Sequence, residues 1–172
     1  LREITAYTLY LLFRPLWQRQ KNWVVYEKFC KTAQDNSYYF FKYCMEHLPE
    51  KERRHIYYIM DPREPDYKNV AGYGRQVVPF MSLKHMLLTL SMRICISSDS
   101  TSHLYVWRSK PSIVRRAIKQ KEELFLQHGV TAMKRVDQLF GKKGSSPMTY
   151  FVTCSRPEHD IVVREFGYAP AN

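Results

Sequence analysis

After Asn22 the chain settles into a repeating alternation. A short β-branched or aromatic run is followed by an amphipathic stretch, then by another short run. The strand candidates cover 23–26, 56–60, 76–78, 94–97, 124–127 and 150–154. The helix candidates cover 36–47, 66–71, 83–91, 112–120, 132–140 and 157–166, with Gly167 as the last stop. Pro157 fits a first helical turn, where its missing N–H costs nothing. Strands alternating with helices in this way predict an α/β fold, a Rossmann-like parallel sheet with helices on both faces. Ligands of such sheets bind beyond the carboxyl ends of the strands. Functional candidates are therefore sought in 27–36, 61–64, 98–105, 128–131 and 155–158.

A chain of 172 residues is long enough for one such domain with a real core. With 45% hydrophobic and 25% charged residues it has the composition of a folded protein, not a disordered one. Glycine is scarce, and neither GxGxxG nor GxxxxGK[ST] occurs, so dinucleotide and triphosphate loops are excluded and no cofactor is expected. The histidines are scattered without ligand spacing, and Cys30, Cys44, Cys95 and Cys154 form no CxxC pair, so no metal is expected. Cys95 and Cys154 lie in apolar strand-like runs, which predicts buried, reduced thiols.

The net charge of +11 draws polyanions: nucleic acid, acidic lipid or a polyphosphate substrate. No aromatic-plus-arginine signature of a common nucleic-acid module is present, so nucleic acid is not the expected partner. Residues 1–21 read as a basic amphipathic helix and 22–172 as the domain proper. The apolar run from Ile4 to Phe13 is too short to span a bilayer and is expected to end near Pro15. Arg2, Arg14, Arg19 and Lys21, with Trp17 and Trp23, suit either an anionic membrane surface or packing on the domain. In 112–121, Ile113, Val114, Ala117 and Ile118 share one helical face, and Arg115, Arg116 and Lys119 share the opposite one. A solvated face is the plain reading of these cations; contact with membrane or polymer is the functional one. No signal-peptide cleavage pattern follows the first apolar run, and a chain beginning at Leu1 is expected to be cut from a longer protein.

The sharpest local feature is Leu124-Phe125-Leu126-Gln127-His128-Gly129-Val130. An apolar strand is followed by an imidazole, then by a glycine that lets backbone approach a ligand or take positive φ. Histidine titrates near neutrality and can take a proton from a hydroxyl, so His128 is either a general base or a structural strand cap. After the first strand, Asp35 and Asn36 are placed to cap the next helix or to meet a ligand above the sheet. After the fourth, the run from Ser97 to His103 offers Ser98 and other hydroxyls for phosphate, with His103 as a second imidazole; a solvated loop is the alternative.

Together these segments resemble the CDP-glycerol glycerophosphotransferase family, the teichoic acid polymerases and primases. The matching runs are Asp35-Asn36-Ser37-Tyr38-Tyr39-Phe40-Phe41-Lys42-Tyr43, Tyr57-Tyr58-Ile59-Met60, Pro65-Asp66-Tyr67, Ser82-Leu83-Lys84-His85 and Ile96-Ser97-Ser98. Phe125-Leu126-Gln127-His128-Gly129-Val130-Thr131, Gly141-Lys142-Lys143-Gly144, Tyr150-Phe151-Val152-Thr153 and Glu158 with Phe166-Gly167-Tyr168 complete the series, which covers 22–168. Glu27 also matches the family pattern, whereas Lys28 and Phe29 depart from it.

The resemblance implies the N-terminal, acceptor-side half of a glycosyltransferase-B type fold. The other half would hold most of the donor site. It implies His128 as the base on an acceptor hydroxyl, with Glu27, Asp35, Asn36, Ser98, His103 and Gly129 around the substrate. The partners implied are CDP-glycerol or a similar CDP-polyol donor, a lipid-linked polyol-phosphate acceptor and an anionic membrane surface. The place implied is the cytoplasmic face of a bacterial membrane, held peripherally. Because the chain stops soon after Tyr168, this piece alone is expected to be inactive. Two other functions compete: a non-catalytic basic α/β module that docks on a membrane or nucleic acid, and half of a sugar-nucleotide glycosyltransferase.

Overall fold

A computed structural model describes residues 2–105, 112–129 and 136–170. The strands are β1 (Trp23–Tyr26), β2 (Ile56–Met60), β3 (Val77–Pro79), β4 (Ile94–Ser97), β5 (Glu122–Phe125) and β6 (Tyr150–Phe151). They form one sheet in the order β3-β2-β1-β4-β5-β6, with every pairing parallel. This is the doubly wound Rossmann order, in which the direction of strand addition switches between β1 and β4. In sheets of this order the crevice at that switch point, between the loops after β1 and β4, is where ligands bind.

The helices are α1 (Arg2–Leu12), α2 (Arg14–Arg19), α3 (Asn36–His47), α4 (Glu50–Arg53), α5 (Tyr67–Val70), α6 (Leu83–Ser91), α7 (Ile113–Ile118), α8 (Asp137–Phe140) and α9 (Arg156–Phe166). Side chains alternate across the strands, so each face has its own core. Val24, Ile59, Val78 and Cys95 bury against α1, α6 and α7. Val25, Tyr58, Met60, Val77 and Ile96 bury against α3 and the segment after it. A smaller cluster of Phe125, Met148, Val162, Phe166 and Tyr168 holds α9 against β5.

The helix ends follow their capping residues. The Ser82 hydroxyl accepts from the His85 N–H at 3.1 Å at the start of α6. Ser155 does the same for Glu158 at 3.4 Å at the start of α9, with Pro157 in the first turn. Gly167 closes α9 at φ 73, a left-handed conformation that favours glycine.

Several expectations are corrected. Pro15 does not end the N-terminal helix; the break falls at Phe13, and Pro15 occupies the first turn of α2, where no N–H is needed. The fifth strand lies two residues earlier than expected, because Glu122 and Glu123 belong to it and hide its start from a hydrophobic pattern. β6 ends at Phe151, so Cys154 falls beyond the sheet and is exposed, whereas Cys30, Cys44 and Cys95 are buried. α4 and its Glu-Lys-Glu-Arg sequence carry no apolar periodicity and went unread. Of the helix expected at 132–140, residues 132–135 lie outside the described residues and 137–140 are helical. Among the described residues no helix is long and apolar enough to cross a membrane.

Candidate functional site

The loop after β1 is wrapped around one carboxylate. Glu27 is buried, and its Oε1 accepts from the backbone N–H groups of Asp35 at 2.9 Å and Tyr38 at 2.8 Å. Its Oε2 accepts from the Thr32 hydroxyl at 3.0 Å and the Gln34 N–H at 3.1 Å. A charged acceptor thus satisfies loop and helix-terminal donors that would otherwise be orphaned. Tyr58 adds a strut by donating its hydroxyl to the Thr32 carbonyl at 2.8 Å.

This loop delivers Asp35 to the carboxyl edge of the sheet. Its Oδ1 accepts from the Asn36 N–H at 2.7 Å, capping α3. Its Oδ2 faces Nδ1 of His128 in a short contact and accepts from the Ser98 hydroxyl at 3.4 Å. Ser98 is buried and donates its N–H to the Ser37 hydroxyl at 2.8 Å, so α3 is bolted to the end of β4. Asn36 reaches the other way, donating its amide to the carbonyls of Gln127 at 2.7 Å and Leu126 at 3.3 Å.

The His128 side of the cluster is set by Gln127. β5 ends at Phe125, and Gln127 turns the chain with φ 62. Positive φ therefore sits at Gln127 rather than at Gly129, which lies in open space. The Gln127 side chain points inward and donates to the Val152 carbonyl at 2.7 Å and to Glu158 Oε1 at 3.0 Å. Glu158 in turn accepts from the Cys154 N–H at 2.8 Å. The glutamine is the anchor that leaves the adjacent imidazole facing the crevice.

Asp99, on the loop after β4, was not singled out in the sequence. Its Oδ1 stands 3.2 Å from Nε2 of His128 and 3.3 Å from Nδ1 of His103, and its Oδ2 accepts from the Lys28 N–H at 3.0 Å. His103 packs against Phe29, with ring centroids 3.8 Å apart. Lys28 and Phe29, which depart from the family pattern, are thus built into the cluster through a backbone N–H and a ring face. The signal for it in the sequence is an acid two residues beyond the end of a strand, set among hydroxyl residues that share its polarity.

His128 is consequently held between two carboxylates, one on each ring nitrogen, with its side chain 44% exposed. Burial lowers its pKa, but the hydrogen bonds and charges of Asp35 and Asp99 outweigh that and raise it above the ordinary histidine value. A half-exposed imidazole with a raised pKa, at the carboxyl edge of the sheet, is a stronger base toward a hydroxyl proton whenever the ring is neutral. The structure thus gathers Glu27, Asp35, Asn36, Ser98, His103 and His128 at one edge, with Gly129 beside them. Arg115, Arg116 and Lys119 stand exposed on α7 and are not among the described hydrogen-bond partners of this cluster.

No family model matches the chain, and no solved structure matches it. Among curated proteins it is 28% identical over 162 residues to the minor teichoic acid biosynthesis protein GgaB of Bacillus subtilis (strain 168), covering 91% of this chain. The chain spans 17% of the length of that relative. In line with the resemblance drawn from the motifs, this chain is similar along nine-tenths of its length to a teichoic acid biosynthesis protein.

Proposed function

We propose that the chain is the acceptor-side domain of a polyol-phosphate transferase. The reaction moves glycerol phosphate or ribitol phosphate from a CDP-linked donor to a lipid-linked, teichoic-acid-like polymer. The observation that carries this reading is His128 between Asp35 and Asp99 at the carboxyl edge of the sheet. Asp35 holds Nδ1 as the N–H side of the neutral ring, and the incoming acceptor hydroxyl takes the place of the Asp99 carboxylate at Nε2, which frees that nitrogen's lone pair. An acceptor hydroxyl entering there passes its proton to Nε2 as its oxygen bonds to the donor's β-phosphorus. The bond from that phosphorus to the bridging oxygen breaks, and CMP leaves. The imidazolium that forms is stabilised by both aspartates. Glu27, Asn36 and Ser98 hold the loops that present this ring, and the donor binds mainly on a second domain.

A non-catalytic docking module has no use for an imidazole clamped by two acids, which disfavours that alternative. The location proposed is an anionic membrane surface. Leu12, Phe13 and Leu16 are exposed on and between α1 and α2, among Arg14 and Arg19. The same α1 packs on the domain through Ala6 and through Glu3, which accepts from the Tyr105 and Ser112 hydroxyls at 2.9 and 2.6 Å. A helix fixed on one side with apolar groups outward suits interfacial binding.

The test is release of CMP by the full-length protein from CDP-glycerol and from CDP-ribitol in the presence of a lipid-linked acceptor. Turnover of either donor, lost on replacing His128, supports the reading. Turnover of a UDP-sugar in place of both would assign the domain to a glycosyltransferase instead.

A further inference from the structure

A cavity of about 490 Å³ with a mixed polar and apolar lining lies beside α7. α7 and the loop after β4 form one wall, the segment before β6 forms the other, and Glu123 of β5 lines it as well. Its most unusual member is Glu123. That residue is only 9% exposed, and its Oε2 has no hydrogen-bond partner among the described residues. A buried carboxyl oxygen left unpaired is costly, and a ligand hydroxyl that meets it would remove that cost. Burial raises its pKa to about 7, with the Thr101 hydroxyl beside it pulling weakly the other way. Near neutrality the group is therefore available as a neutral acid that both donates and accepts, the pairing a hydroxyl requires.

Beside the apolar Ile118, Leu139 and Pro147, the polar part of the remaining lining has two chemistries. Arg115 and Lys119, one helical turn apart, bring two positive charges to the side formed by α7. Thr101, Ser102 and Ser145 supply hydroxyls. Ser100 and Ser146, whose hydroxyl oxygens lie 3.2 Å apart, tie the two walls together. Cations alone would suit any anion. Cations joined to a buried acid and a ring of hydroxyls suit an anion that also carries hydroxyl groups.

We propose that this cavity is a binding subsite for a phosphate ester with free hydroxyls, a polyol or sugar phosphate, its phosphate on Arg115 and Lys119 and its hydroxyls on Glu123 and Thr101. Thr101 and Asp99 belong to the same stretch of chain after β4. Binding itself does not depend on the transferase reading and would stand if that reading failed.

The test is calorimetric titration of the full-length protein with sn-glycerol 3-phosphate, inorganic phosphate and glycerol, with His128 intact. Glycerol 3-phosphate should bind more tightly than phosphate or glycerol. The exposed double substitution Arg115→Ala/Lys119→Ala should weaken it about tenfold or more. Glu123→Leu should weaken glycerol 3-phosphate while sparing phosphate, and Glu123→Gln, which still donates and accepts, should bind within about threefold of the parent. No binding by the parent overturns the proposal. So does binding indifferent to the Arg115/Lys119 pair, which places it elsewhere. Equal binding of phosphate and glycerol 3-phosphate, insensitive to Glu123→Leu, reduces the site to an anion patch and overturns it as well. If Glu123→Leu fails to fold, Thr101→Val carries the hydroxyl arm of the comparison.

Discussion

The side-chain amide of Asn36 donates to the main-chain carbonyl of Gln127 at 2.7 Å, tying the first loop of the sheet to the loop that carries His128. The two residues are 91 positions apart, and the bond closes the crevice edge between them. Asn36→Ala should release the His128 loop. Misplacing a reacting group by an ångström costs about 100-fold in rate. Turnover of the full-length enzyme should therefore fall by roughly 10- to 100-fold, while stability drops by only about 1 kcal/mol. Steady-state kinetics beside thermal unfolding check this; unchanged turnover would contradict it.

Asp99 should govern the pH dependence. A base must be unprotonated to act, and the two aspartates raise the pKa of His128. The acid limb of kcat/KM should thus lie above the ordinary histidine value of about 6.5. Asp99→Asn removes one of the raising charges and should move that limb to lower pH. Folding stability runs the opposite way: with the folded pKa raised, the contribution of the ion pairs is full below the unfolded value and is lost as pH rises through the folded one. A pH–rate profile that does not move in the Asn variant would remove Asp99 from the proton path.

Glu27 is expected to matter through the loop it organises. Glu27→Ala leaves four donors without their acceptor, three of them backbone N–H groups. Unfolding by denaturant should show a loss on the order of 3 kcal/mol or more. A loss below about 0.5 kcal/mol would mean that water replaces the carboxylate freely.

The cations of α7 should contribute to attraction by anionic membranes. Reversing Arg115, Arg116 and Lys119 together should reduce co-sedimentation with vesicles containing acidic lipid, most clearly at low salt, where exposed charges act furthest. Binding that stays the same at low salt would contradict a membrane role for these three residues.

What was legible in the sequence follows from what is local. α3 and α6 match their expected bounds of 36–47 and 83–91, because Asp35 and Ser82 cap them and an apolar stripe runs through each. The parallel sheet was legible from the alternation alone. β5 was misplaced because its first two residues are glutamates, and one of them is buried for reasons no hydrophobic pattern contains. At the site, His128, Asp35 and Asn36 stood out one by one. That Asp35 and Asp99 grip the two nitrogens of one ring could not be read, since those contacts join loops brought together only by the strand order. Gln127 was similarly hidden: its inward bond to Glu158 depends on where α9 docks.

The central claim is that His128 takes the acceptor's proton. The direct test is kcat for His128→Ala in the full-length enzyme, measured with CDP-polyol donor and lipid-linked acceptor, beside thermal unfolding of the same sample. A positioned general base contributes roughly 100- to 10,000-fold in rate. The expected result is a fall in kcat of that size, with donor affinity little changed and the fold retained. Near-normal turnover by the folded variant, with stability lost instead, would make His128 a structural tie between Asp35 and Asp99 and contradict the account.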